Sequence, residues 1–260
     1  MNAFLKSVDE FNEINIYCLS KNILVMYKFT FLTVLVMLFG LLFSAKPVEH
    51  LGPIQKKDNV LPDNSFRLIT FTTEDQGKIQ GSLFEAGKGR VVLFAHGAVF
   101  NKESWYFLCD LLREQGISSL SIDFRGYGES KKGTSDHKYH DILGAIEYLK
   151  DQGYKKIAIV GGSMGGGAVL KALAVTIDKK VDKVALLAAA GGKPVMSEKM
   201  DKLFVVSRDE GAYQRVMDLH EKSADPKTLK VFPGSSHAQH MFKTEHSQNL
   251  VNLILGFVGE

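Results

Sequence analysis

Apolar and polar residues alternate early in the main region of the chain and then stop alternating. Residues 66–73 (FRLITFTT) and 79–85 place apolar side chains at every second position on either side of Gln76-Gly77. That is the pattern of two half-buried strands joined by a tight turn. From residue 90 the short runs become mostly apolar: Arg90–Ala95 (RVVLFA), 117–122 (ISSLSI), 156–160 (KIAIV), 181–188, 202–206 and 229–232. Helical spacing fills the intervals. Trp105, Leu108, Leu111 and Leu112 share one face before Gly116, and Ile142, Ala145, Ile146 and Leu149 do the same before Gly153. Leu250, Leu253, Ile254 and Phe257 mark a final helix. Strands apolar on both faces, alternating with helices, predict an α/β fold with a parallel sheet covered on both sides. In such a sheet the site lies at the carboxyl ends of the strands.

The N-terminus breaks this pattern. Residues 29–45 (FTFLTVLVMLFGLLFSA) carry no charge, and continuing back across Lys28 to Ile23 gives about 23 residues, enough to span a bilayer. The stretch is apolar all round, unlike an amphipathic helix of a globular domain. Two readings fit residues 1–45 as a membrane-targeting segment. One is an uncleaved anchor that leaves the protein on the cell membrane. The other is a signal peptide, with Met26-Tyr-Lys as a basic start and Ser44-Ala45 before the cut, that exports the domain, to the periplasm in a two-membrane envelope. Lysines flank both sides, so charge does not set the orientation. Residues 46–64 are polar and contain Pro and Gly, as expected of a linker, which leaves 65–260 as one domain.

Composition narrows the classes. Of 260 residues 45% are hydrophobic and 23% charged, ordinary globular usage that excludes wholesale disorder. The net charge of +3 is too small and scattered for a nucleic-acid surface. Two cysteines, Cys18 and Cys109, cannot build a disulfide framework or a four-ligand zinc site, and Cys109 sits among apolar helix positions as a small core residue.

Candidate chemistry stands at the predicted strand ends. The run 156–160 enters Gly161-Gly-Ser163-Met164-Gly165, and an Ala/Leu-rich helix follows. Gly-x-Ser-x-Gly at a strand-to-helix turn is the nucleophile-elbow pattern, with Ser163 on the strained turn and glycines where backbones must pass closely. The competing reading is a phosphate cradle. It has no G-x-x-x-x-G-K-[ST] and no acid ending the next strand to hold a ribose. A base is expected after the last strand, and His237 follows Phe232-Pro-Gly-Ser-Ser; His240 is its rival and reads as a surface residue. An acid is expected after 202–206, where Asp209 and Glu210 both stand. Upstream, the backbone amide of Ala98 in His96-Gly97-Ala98 is placed to pair with that of Met164 as an oxyanion hole. His96 suits a structural role, and Asp123-Phe-Arg-Gly-Tyr-Gly-Glu-Ser130 reads as a turn with an Asp123/Arg125 polar anchor.

In this order, His96-Gly97, Asp123 to Ser130, the elbow, the acid at 209/210 and Gly234-x-x-His237 resemble the α/β-hydrolase fold family. The resemblance runs from about Phe66 to the C-terminus. It implies a mostly parallel sheet with helices on both faces, a serine nucleophile, ester-bond hydrolysis, and neither metal nor organic cofactor. The family's usual spacing, three residues beyond the small residue ending the strand (Ser207), favours Glu210 as the acid. The usual residue type favours Asp209. Glu210 is the first choice because backbone position fixes reach. Only thirteen residues, 189–201, separate the sixth and seventh core strands, so no lid domain is expected there.

The expected function is a serine carboxylesterase or thioesterase acting on a small-molecule or lipid-like ester through an acyl-enzyme. An acyltransferase on the same fold and a membrane-anchored, non-catalytic binding protein are the alternatives.

Overall fold

The computed structural model describes residues 66–175 and 181–260. The targeting segment and linker expected at 1–45 and 46–64, and Cys18, lie outside the described residues. Among the described residues no helix is long and apolar enough to cross a membrane.

Eight strands form one sheet: β1 (Arg67–Thr72), β2 (Lys78–Phe84), β3 (Arg90–Ala95), β4 (Ser118–Ile122), β5 (Lys156–Gly162), β6 (Lys183–Leu187), β7 (Asp201–Ser207) and β8 (Lys227–Phe232). Their spatial order is β1-β2-β4-β3-β5-β6-β7-β8. β2 runs antiparallel to both β1 and β4, while β3 to β8 and β4 pair in parallel. The alternating runs became the antiparallel edge hairpin; β1 keeps one face exposed, whereas β2, flanked by strands on both sides, is buried from Gly81 to Phe84. The apolar runs became the parallel centre.

Among the described residues the α-helices are α1 (Tyr106–Glu114), α2 (Tyr139–Asp151), α3 (Met164–Val175) and α4 (Tyr213–Lys222), which lie between strands, and α5 (Ser247–Gly259), which follows β8. Short 3-10 helices occupy Lys102–Trp105 and Ala238–Lys243. α1 packs on α5 and α2 on α3. Strands β3 to β7 are almost wholly buried along their length, so helices cover both faces. The connection from β6 to β7, residues 188–200, contains no helix and no inserted domain.

β4 reads SSLSI, yet every residue in it is buried. Burying a hydroxyl is costly unless it is hydrogen-bonded. Ser118 Oγ accepts the amides of Ala86 and Gly87 at 2.8 and 3.1 Å, and Ser121 Oγ donates to the Lys102 carbonyl at 2.7 Å. These serines tie the central sheet to the loops beside it.

The Asp123–Ser130 turn corrects one expectation. Asp123 and Arg125 do not form a joint anchor; neighbouring side chains in the loop point to different partners. Buried Asp123 pairs with Lys102 Nζ at 2.6 Å and accepts the Lys102 amide at 2.8 Å. Arg125 pairs with Asp75 in the hairpin turn at 2.6 Å and with Asp141 of α2 at 2.7 Å. The Arg125 hydrogen bonds hold the Asp75 carboxyl well below the usual carboxylate range. Cys109 is fully buried, and burial pushes its thiol up to about 12, so it stays a protonated core residue at neutral pH.

Candidate active site

Three loops at the carboxyl ends of β5, β7 and β8 converge. The first is the turn from β5 into α3. Ser163 holds φ at 49°, the left-handed region that a residue with a side chain rarely adopts. Two features over-determine this conformation. The Ser163 amide donates to the Leu187 carbonyl at 2.8 Å, and its carbonyl accepts the amides of Gly167 and Ala190 at 3.0 and 2.9 Å. Close packing does the rest: a Cβ on Gly165 would lie 2.2 Å from the Ala95 carbonyl oxygen, and one on Gly161 would lie 2.9 Å from Gly166 backbone. Glycine at 165 lets the turn press against the end of β3, and glycine at 161 lets β5 pass close under the start of α3.

From that position Ser163 Oγ lies 2.7 Å from His237 Nε2. The His237 loop is held by Ser207 Oγ, which donates to the Ser236 carbonyl at 2.6 Å. On the other side of the ring, His237 Nδ1 makes a short hydrogen bond to Glu210 Oε2. The second Glu210 oxygen accepts the Ser207 amide at 2.9 Å, so a local turn aims the carboxylate. The Glu210 side chain is 2% exposed, against 41% for His237. A carboxylate on Nδ1 requires the proton there, which leaves Nε2 free to accept the Ser163 hydroxyl proton.

Of the two candidate acids, Glu210 meets the imidazole. Asp209 is exposed, and only its backbone amide engages the neighbouring loop, donating to the Gly234 carbonyl at 2.9 Å. His240 is also exposed and rests its ring on Phe100 at 4.9 Å.

The loop after β3 passes beside the serine. A Cβ on Gly97 would lie 3.5 Å from Ser163 Cβ. Met164 opens α3, where first-turn amides lack an intrahelical acceptor, and the Ala98 amide belongs to the facing loop. His96 is fully buried: Nε2 accepts the Phe124 amide at 3.2 Å, which makes Nδ1 the donor to the Gly97 carbonyl at 2.8 Å. Burial also lowers its pKa. The ring is therefore a neutral brace under the loop.

Two residues at the site went unread in the sequence. Gln239, 3% exposed, accepts the Gly97 amide at 2.7 Å and donates to Ser104 Oγ at 2.6 Å. It ties the His237 loop to the Ala98 loop. Its only signal was a polar residue between Ala238 and Met241, both buried. Tyr127, inside the turn motif, donates to the Ala98 carbonyl at 3.0 Å and packs on His96 at 4.7 Å between ring centroids. Among the described residues no group of three His, Cys, Asp or Glu side chains is placed to hold a metal ion.

The family profile of the alpha/beta hydrolase fold matches residues 90–244, more than half of the chain. The chain belongs to the α/β-hydrolase fold family. It is 26% identical over 178 residues to the AB hydrolase superfamily protein YisY of Bacillus subtilis, covering 63% of this chain and 66% of that one. It is 33% identical over 107 residues to the pFDCC methylesterase MES16 of Arabidopsis thaliana, covering 39% and 40%. The chain thus spans less than two thirds of these relatives. Among solved structures, an esterase from Exiguobacterium antarcticum superposes with a TM-score of 0.62 at 17% identity, covering 74% of this chain and 99% of that one. At that identity the likeness is one of fold.

Proposed function

We propose that this protein is a serine hydrolase that cleaves carboxylic esters or thioesters of small molecules through an acyl-enzyme. The observation that carries the reading is the 2.7 Å contact between Ser163 Oγ and His237 Nε2, backed by the buried Glu210 carboxylate. In this mechanism Ser163 attacks the ester carbonyl while His237 takes its proton. The Met164 and Ala98 amides bind the oxyanion, each worth about 3 kcal/mol where such donors have been removed. His237 then returns the proton to the leaving alcohol or thiol. Water, deprotonated by the same imidazole, releases the acid and regenerates Ser163. Glu210 holds the ring tautomer and stabilises its cationic form.

The partial match to a methylesterase supports ester rather than other substrates. The test is Ser163→Ala, which removes covalent fluorophosphonate labelling and 4-nitrophenyl ester turnover while the protein stays folded. Labelling that survives the change refutes the assignment. Turnover that yields a new ester when alcohol is added would instead identify an acyltransferase.

We also propose that residues 1–45 carry the domain to a membrane, on the strength of the uncharged run at 29–45. An intact chain in the membrane pellet identifies an anchor, and a mature terminus near Lys46 identifies a cleaved signal. Unprocessed chain in the soluble fraction refutes both.

A further inference from the structure

A cavity of about 620 Å³ adjoins the elbow turn, lined by Met164, the residue after Ser163. Its inner wall includes Met164, Gly167 and Ala190, and the last two donate their amides to the Ser163 carbonyl. Ala168, Ala174 and Val175 make the walls apolar. The rim is different. Lys138 from the turn before α2, Lys171 from α3 and Lys193 from the β6–β7 connection all line the same opening. Lys171 Nζ sits 4.9 Å above the Tyr139 ring and Lys138 Nζ 5.8 Å from the Tyr127 ring, so both ammonium groups are steered by aromatic faces. Among the described residues none of the three has a carboxylate partner. Among the described lining residues the one acid, Asp136, is exposed and pairs with Lys132 at 2.7 Å, with Lys138 also lowering its pKa. Three lysines without an ion-pair partner among the described residues therefore stand on the mouth of one cleft. Clefts lined by one sign of charge concentrate ligands of the other sign.

We propose that this cleft is the substrate site and selects an ester carrying an anionic group at the end away from the scissile bond. The proposal rests on the serine hydrolase reading. The apolar walls take the methylene or aryl body, and the lysines take the anion. As point charges on flexible stems, lysines suit a carboxylate or phosphate without fixing its geometry.

The experiment compares matched esters differing only in charge. On the acyl side, mono-4-nitrophenyl adipate is set against 4-nitrophenyl hexanoate. On the alcohol side, 4-acetoxybenzoate is set against its methyl ester. On at least one side kcat/KM for the anionic ester exceeds that for the neutral one by about tenfold at low salt, as expected for three partly exposed pairs acting together. That ratio falls towards one in 0.5 M sodium chloride and in the triple variant Lys138→Met, Lys171→Met, Lys193→Met. A ratio at or below one on both sides, in protein that labels with fluorophosphonate, overturns the proposal and leaves the hydrolase reading standing. Failure of both turnover and labelling overturns the hydrolase reading instead. The cleft is then judged by calorimetry on Ser163→Ala protein. Salt-sensitive binding of mono-4-nitrophenyl adipate, lost in the lysine variant, supports an anion site, and no binding overturns it.

Discussion

Replacing Gln239 with leucine tests whether the two loops flanking Ser163 are held together by one side chain. Leucine keeps roughly the same volume but can neither accept the Gly97 amide nor donate to Ser104. The two losses are unequal. Ser104 is half-buried and still donates to the Asn101 carbonyl at 2.5 Å, so it loses little. Gly97 is buried, and its amide is left with no acceptor, at a cost of about 1–3 kcal/mol. For a domain of this size that corresponds to roughly 2–4 °C in Tm per kcal/mol. The catalytic effect follows from sequence adjacency. A Gly97 amide freed from Gln239 lets the Ala98 amide drift from the proposed oxyanion position. Full loss of such a donor costs about 10²–10³ in kcat, so a partial loss of about 10–100-fold is expected with KM little changed. Thermal melts and steady-state turnover of a 4-nitrophenyl ester measure the two effects independently. A Tm within 1 °C of wild type with kcat within about twofold would show that Gln239 holds nothing in place.

Other expectations separate other parts of the structure. Glu210→Gln lowers kcat by about 10⁴ while Asp209→Asn stays within a few-fold, because only Glu210 touches the imidazole; the reverse ranking in a turnover assay removes Glu210 from the mechanism. Arg125→Met leaves Asp75 and Asp141 facing a buried site without their cation and destabilises the fold by about 3–5 kcal/mol in urea unfolding. The same variant changes the acid limb. Because the folded Asp75 pKa lies below its unfolded value, its contribution is complete above about pH 4 and is lost as pH falls further. The wild-type curve should therefore drop more steeply there than that of Arg125→Met. His96 acts at milder pH. Its folded pKa is lowered by burial, so below about 6.5 the unfolded chain takes up a proton that the folded one refuses. Stability therefore falls between pH 7 and 5, and His96→Asn should flatten that slope; an unchanged slope removes His96 as its cause.

The strands and the turn around Ser163 were legible because their signals are local. A period of two, an apolar run or a glycine flanking a serine can each be read within a few residues. Helix α4 was not read as an element of its own, since Tyr213–Lys222 is mostly polar and buries only Val216 and Leu219. The choice of Glu210 over Asp209 rested on spacing and went against the family's usual residue type, because it depends on which way adjacent side chains leave one turn. That turn is set by the Ser207 amide bonding the Glu210 carboxylate and the Asp209 amide bonding Gly234. Gln239 and Lys102 were invisible for a different reason. Their partners, Gly97 and Asp123, are brought to them by the fold from other segments. The lysine rim of the cleft also comes from three separate stretches, and nothing in any one of them marks it.

The same separation governs when the protein becomes competent. Ser163 and His237 are 74 residues apart in sequence, and Gly97 and Gln239 are 142 apart. The sheet that joins them is largely parallel, so its pairings close long loops before they return any contact energy. α3 and the turn at Ser163 depend on neighbours already present once β3, β5 and β6 have paired. His237 arrives only when β8 has docked on β7 and the segment behind it has folded over the serine. During refolding the helical signal should therefore recover ahead of turnover, and a chain stalled before β8 joins the sheet would hold Ser163 on its turn without His237 beside it.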